Sequence, residues 1–203
     1  GLPLTYAWEE PTKCVLDYYQ INHCPMIGIS WGGYFVMRAA AFEKRISAVV
    51  AYDVADDGLE IMTNVFPPIL RRLIRWVFAH KQEKLVNHLV RFAIHKSVLA
   101  DWVLSQGQYI THTKSPYRFY QEVQKHTLRG VCDRITQDCL LLAGEKDHYI
   151  PIDQFERLQS SLPNARSVKK CVFTQAEGGE QHCQIGNHQL ALNEITQWLE
   201  GLE

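Results

Sequence analysis

The stretch Met26-Ile27-Gly28-Ile29-Ser30-Trp31-Gly32-Gly33 runs an apolar segment into a serine that has a glycine two places before it and another two places after. This is the G-x-S-x-G pattern, in which a strand turns sharply into a helix and presents the serine hydroxyl at the end of a sheet. Gly28 and Gly32, with Gly33 beside them, have a mechanical purpose. Without side chains there, strand and helix can approach closely while Ser30 takes a strained backbone conformation. By chance the bare pattern occurs in roughly 7% of chains of this length, with Gly and Ser each near 7% of residues, so its surroundings carry the argument. The apolar run Met26 to Ser30 leads directly in, and a helical pattern from Trp31 to Phe42 leads directly out.

Outward from this point the chain alternates. Ile46 to Asp53 and Cys139 to Ala143 are short runs rich in Ile, Val or Leu that end on Asp or Gly, and with Met26 to Ser30 they read as buried parallel strands. Ser167 to Thr174 is a fourth strand, followed by the breaker pair Gly178-Gly179. Helical patterns lie between them: Thr12 to Gln20, Trp31 to Phe42, Ile152 to Leu162 and His188 to Leu199. Strands alternating with helices imply an α/β fold on a parallel sheet.

From about Gly58 to Arg134 the alternation stops. Apolar residues recur at 69, 70, 73, 74, 77 and 78, then at 85, 86, 89, 90 and 94, which is the 3.6-residue period of amphipathic helices. Val65 to Phe78 holds Pro67, Pro68, Arg71, Arg72 and Arg75, so it reads as an amphipathic helix after a Pro-Pro start and not as a membrane span. The expected organisation is a core of residues 1–57 and 135–203 with a helical cap inserted at 58–134. Such an insertion is expected to lie over the carboxyl ends of the strands, where open α/β sheets bind ligands, with Phe66, Trp76, Phe92 or Trp102 lining the pocket. The alternative is a peripheral helical unit that touches no substrate.

A serine hydroxyl is a weak nucleophile at its free pKa and needs a histidine base, which in turn needs a carboxylate to fix its tautomer and stabilise its charge. In this type of site the chain order is Ser, acid, His. Leu140-Leu141-Leu142-Ala143-Gly144-Glu145-Lys146-Asp147 is a strand, a turn and then an aspartate, which makes Asp147 the expected acid. The bland alternative is an aspartate that only caps the helix beginning near Pro151. Asp53, which also leaves the end of a strand, is the rival acid, and Glu145 a weaker one. Of the nine histidines, only His148, His182 and His188 follow Asp147. His182 is the expected base, because its loop lies past the last strand and before the last helix. His148 would have to fold back on the acid, and His188 starts the final helix. His80, His88 and His95 read as solvated or packing groups. The backbone N–H of Trp31, next after the serine, is the expected oxyanion donor.

Composition narrows the function classes. The chain has 203 residues, 46% hydrophobic and 21% charged, an ordinary soluble domain. With 21 Lys plus Arg against 22 Asp plus Glu, the net charge of -1 gives no general attraction for nucleic acid or an anionic membrane. No apolar stretch reaches the roughly 18 residues of a bilayer span. Cys14, Cys24, Cys132, Cys139, Cys171 and Cys183 form no CxxC pair, so they read as reduced, mostly buried thiols of a cytoplasmic protein. No metal-binding spacing is present, and neither a metal nor another cofactor is expected.

Gly28-Ile-Ser-Trp-Gly-Gly-Tyr34, Tyr52-Asp-Val54, Ser115-Pro-Tyr117, Leu142-Ala-Gly-Glu-Lys-Asp147 and Glu177-Gly-Gly-Glu-Gln-His-Cys183 together resemble the α/β-hydrolase superfamily over nearly the whole chain. The resemblance looks closest to its dipeptidyl aminopeptidase or acylaminoacyl-peptidase-like branch, which also includes carbon–carbon bond hydrolases with a helical cap. It implies a Ser-His-Asp mechanism with an acyl-enzyme, no cofactor, and a small-molecule or short-peptide substrate held by an ester, amide or peptide bond. The alternatives are cleavage of a carbon–carbon bond and a binding protein that has lost its activity. Relatives place strands and a second oxyanion donor ahead of the elbow, whereas here only about two dozen residues precede it, so the chain resembles a C-terminal piece of such a protein. The strand Met26 to Ser30 is then expected to have one bare edge, with self-association through it and a reduced rate.

Overall fold

The computed structural model describes residues 2–64, 66–94 and 98–202. His95 therefore lies outside the described residues, as does the side chain of Phe92. The chain divides into two compact units, Ala7–Asp57 with Thr127–Glu203, and Gly1–Tyr6 with Gly58–His126.

The first unit is an α/β layer structure. Helix α1 (Glu9–Tyr18), strand β1 (Cys24–Ile29), helix α2 (Trp31–Ala40) and strand β2 (Ile46–Tyr52) come before residue 58. Strand β3 (Asp138–Gly144), helix α8 (Ile152–Ser160), strand β4 (Ser167–Phe173) and helix α9 (His188–Glu200) come after. The four strands pair in sequence order and every pair is parallel. β2 and β3 lie in the middle, which is why their runs Val49-Val50-Ala51 and Leu140-Leu141-Leu142 lose all exposure. Burying each such Leu or Val removes about 1.5–3 kcal/mol of unfavourable hydration.

Side-chain alternation splits the core between two faces. Ala48, Val50, Tyr52, Leu140 and Leu142 pack with Ala191, Ile195 and Trp198 of α9. Lys169, in register with Leu140, pairs with Glu194 of α9 at 2.7 Å. Its neighbour Lys170, in register with Leu141, lies over the ring of Phe155 in α8. The two helices thus cover opposite faces.

The outer strands depart from the expected burial. β1 has a strand neighbour on one side only among the described residues, and the face with Ile27 and Ile29 is about half exposed (48% and 55%). β4 is likewise an edge strand, and only Phe173 in it is buried. An apolar run shows that a strand can be buried, whereas exposure depends on how many neighbours it finds. The cysteines, expected to be mostly buried, divide: Cys132 and Cys139 are buried, Cys24, Cys171 and Cys183 are partly so, and Cys14 on α1 is exposed.

The second unit is helical: α3 (Gly58–Thr63), α4 (Pro68–Ala79), α5 (Glu83–Ile94), α6 (Val98–Thr111) and α7 (Pro116–Gln124). Pro67 is extended, with ψ 151°, and Pro68 starts α4, where its missing N–H costs nothing. Val77, Phe78, Val86 and Tyr117 form a small core, flanked by Ile74, Val90 and Tyr120. Ser115 caps α7 by accepting from the Arg118 N–H. The leading segment joins this unit through Leu4 N–H, which donates to Ile110 O. Trp76 and Trp102 are mostly exposed and Phe66 is partly buried. Among the described residues no helix is long and apolar enough to cross a membrane.

Candidate active site

The carboxyl ends of β1, β2 and β3 place Ser30, Asp53 and Asp147. At the end of β1 the backbone of Ser30 has φ 59° and ψ -121°, a conformation costing of order 1–3 kcal/mol for a residue with a Cβ. The glycines permit it unequally. A Cβ on Gly28 would stand 2.0 Å from Gly32 O, and one on Gly33 3.0 Å from the Val54 Cα, whereas one on Gly32 would meet nothing within 4 Å. The requirement is for a bare Gly28 against the backbone of residue 32. The Ser30 N–H donates to Tyr52 O at 2.7 Å, which ties the elbow to β2.

His182 starts a short 3-10 turn, His182–Gln184, ahead of α9. Its Nε2 lies 2.8 Å from Ser30 Oγ, and its Nδ1 lies 2.6 Å from Asp147 Oδ2. An ionised carboxylate can only accept, so Nδ1 carries the hydrogen and Nε2 is left to accept from the serine hydroxyl. Asp147 also accepts through Oδ1 from the N–H groups of Tyr149 (2.7 Å) and Ile150 (3.0 Å). The aspartate thus faces the imidazole and organises the turn ahead of α8, but it does not cap that helix, whose start at Pro151 has no side-chain cap. Burial opposes the charged form of His182, but the Asp147 and Cys183 side chains outweigh it and raise its pKa well above the ordinary imidazole value.

The other candidates are placed as follows. Asp53 Oδ2 is 3.8 Å from His182 Nδ1, beyond Asp147. Burial pushes the Asp53 carboxyl up, while the Cys183 N–H that it accepts acts against this. Glu145 accepts from the Gln175 N–H at 2.9 Å. His148 lies with its ring centroid 6.4 Å from that of His182, and Tyr149 sits edge-on at 5.0 Å. His188 begins α9 and contacts Cys183 O at 3.0 Å. Trp31 opens α2, so its N–H is among the first-turn donors that point away from the helix body. The His80 ring lies tilted against that of Trp76, with centroids 4.3 Å apart, and both it and His88 are solvent-accessible. Among the described residues one group could offer three metal-ligating atoms, Asp53, His182 and Cys183.

Two contacts at this site carry no motif signature: Tyr52 Oη donates to Cys183 O at 2.8 Å, and Gln184 Nε2 donates to Asp53 Oδ1 at 3.3 Å. The only signal for them is the polar pair Tyr52-Asp53 closing an otherwise apolar strand.

A strand-to-helix serine on a parallel sheet, faced by a histidine from the loop before the last helix, defines the hydrolase class built on this fold. Residues 5–182 match the family model described as the alpha/beta hydrolase fold, and the chain belongs to that family. It is similar to the hydrolase acrC of Aspergillus aculeatus, 22% identical over 98% of this chain and 49% of that protein. It is also similar to the hydrolyase ccsE of Aspergillus clavatus, 25% identical over 98% of this chain and 50% of that protein. The chain spans about half the length of these curated relatives. Among solved structures, a meta-cleavage product hydrolase from Pseudomonas fluorescens superposes with a TM-score of 0.63 at 16% identity, covering 100% of this chain and 74% of that one.

Proposed function

We propose that this chain carries the catalytic centre of a serine hydrolase, with Ser30 as nucleophile, His182 as general base and Asp147 as the acid that orients it. The unbroken path Ser30–His182–Asp147, with distances of 2.8 and 2.6 Å, supports this reading most directly. In the first step Nε2 takes the hydroxyl proton as Oγ bonds to the substrate carbonyl carbon. The carbonyl oxygen becomes an oxyanion received by the Trp31 N–H. On collapse His182 returns the proton to the leaving group, and a water, deprotonated in turn by His182, releases the acyl group and restores Ser30.

The substrate is a small molecule or short peptide with an ester, amide or peptide bond, as in the dipeptidyl aminopeptidase or acylaminoacyl-peptidase-like branch. The structural likeness to a meta-cleavage product hydrolase favours a second reading, carbon–carbon bond cleavage at the same serine. The free thiols suit a reducing, cytoplasmic setting. Reaction with a fluorophosphonate probe tests the mechanism: labelling of the wild-type chain and none of Ser30→Ala is expected, and an unreactive wild-type chain overturns it.

A further inference from the structure

We propose that Asp53 is a positioning residue for His182, gripping the peptide that follows the imidazole so that nucleophile and base are referenced to one strand end. The inference rests on the reading of Ser30, His182 and Asp147 as the catalytic groups. It begins from a side chain that sequence placed only as a rival acid.

The Asp53 side chain is fully buried, and among the described residues no Lys or Arg forms an ion pair with it. A carboxylate in that position is costly unless its oxygens are used. They are: Oδ2 accepts from the Cys183 N–H and Oδ1 from Gln184 Nε2. The preceding residue completes the grip, because Tyr52 Oη donates to the Cys183 carbonyl. Both backbone polar groups of Cys183 are thus held by two consecutive residues at the end of β2.

Cys183 needs such holding. It has φ 52° and Gln184 has φ 46°, two consecutive non-glycine residues in the left-handed region, which persist only where their surroundings over-determine them. That bend carries the imidazole directly before it. The same Tyr52 accepts the Ser30 N–H through its carbonyl oxygen. Nucleophile and base, far apart in sequence, are therefore both fastened to the dipeptide Tyr52-Asp53. Asp147 keeps the Nδ1 proton at 2.6 Å, while Asp53, at 3.8 Å, acts through Cys183. The charge of Asp53 also faces the ring. The other titratable groups around the imidazole are Asp147, Cys183, His148 and Tyr149; Asp147 and Cys183 favour its charged form, and a charged imidazole in turn favours the Asp53 carboxylate.

The test is the rate of fluorophosphonate labelling between pH 5 and 9 for Asp53→Ala, Asp53→Asn and Tyr52→Phe, beside Ser30→Ala and Asp147→Asn, with thermal unfolding measured on each. Asp53→Ala is expected to slow labelling at least tenfold. Asp53→Asn, which retains an oxygen for the Cys183 N–H, is expected to recover most of the plateau rate. Its acidic limb moves to lower pH, because removing a negative charge lowers the imidazole pKa. Tyr52→Phe is expected to fall between wild type and Asp53→Ala. Wild-type rates and an unshifted limb throughout the Asp53 and Tyr52 variants overturn the proposal, as does an Asn variant no faster than Ala. If Asp53→Ala does not fold, Asp53→Asn and Tyr52→Phe decide by the same criteria. Failure of the underlying reading is distinct: Ser30→Ala would still label, or Asp147→Asn would label as fast as wild type.

Discussion

Gly144 and Glu180 meet backbone to backbone: a Cβ on Gly144 would stand 2.4 Å from Glu180 O, the oxygen that also accepts the Lys146 N–H at 2.9 Å. The loop leading to His182 thus crosses the end of β3 where that strand has no side chain. Gly144→Ala is expected to push the loop off the sheet, lower stability by about 1–3 kcal/mol as overpacking does, and cut probe labelling at Ser30. Chemical denaturation and labelling on one preparation check this. Unchanged labelling with unchanged stability would show that the crossing is loose.

Ser30 occupies a backbone conformation that glycine adopts without strain. Ser30→Gly is expected to abolish probe labelling and raise stability by about 1 kcal/mol, and Ser30→Ala to abolish labelling with little change in stability. A loss of denaturation midpoint in the glycine variant would contradict the strain.

The pKa of His182 is raised, with Asp147 the largest cause favouring the charged form. Base catalysis needs the neutral ring, so the labelling rate should climb with pH through a midpoint above the ordinary imidazole value of about 6.5. Asp147→Asn removes the charge, lowers the histidine pKa and moves that midpoint down, while the plateau falls on the order of 10³- to 10⁴-fold because the ring loses its tautomer. In stability the sign is opposite. A raised folded-state pKa stabilises the protein fully below pH about 6.5, and that share is lost as pH rises through the folded value. A wild-type midpoint below 6 would refute the coupling.

Leu140 is fully buried in the cluster that joins β2, β3 and α9. Leu140→Ala should cost about 2–5 kcal/mol, from lost burial plus the cavity left behind. A denaturant titration with unchanged slope measures it, and a cost under about 1 kcal/mol would mean that the core collapses around the gap.

Among the described residues β1 and β4 are both edge strands, but β4 carries Lys169 and Lys170, whereas β1 has no charged residue from Cys24 to Ile29 and exposes Ile27 and Ile29. Charges protect edges from pairing and apolar residues do not. The chain of 23.4 kDa is expected to self-associate in light scattering, with Ile27→Lys reducing the mass. A wild-type monomer at all concentrations would refute pairing through β1.

The sequence made the strands and their parallel sheet legible because its cues are local: apolar runs ended by Gly or Asp mark the strands, and Gly28-x-Ser30-x-Gly32 marks the turn. The chain order of Ser30, Asp147 and His182 similarly points to three residues that lie together in the structure. What did not show is relational. Half-exposure of Ile27 and Ile29 depends on how many strands pair with β1, and the grip of Tyr52 and Asp53 on Cys183 joins residues 130 or more positions apart. Helix α1 begins at Glu9, three residues before the expected Thr12, since helix starts without a capping side chain leave little mark.

Ser30 and His182 are separated by 152 residues, and this has a consequence for the protein's biosynthesis. The ribosome delivers the serine 152 residues before the imidazole, so a growing chain holds an ordinary alcohol until the loop that carries His182 has been made. An interruption of translation between residues 33 and 182 leaves a fragment that has the elbow and lacks His182. If Ser30 and His182 act as proposed, reactivity is deferred until residue 182 has been made and folded into place.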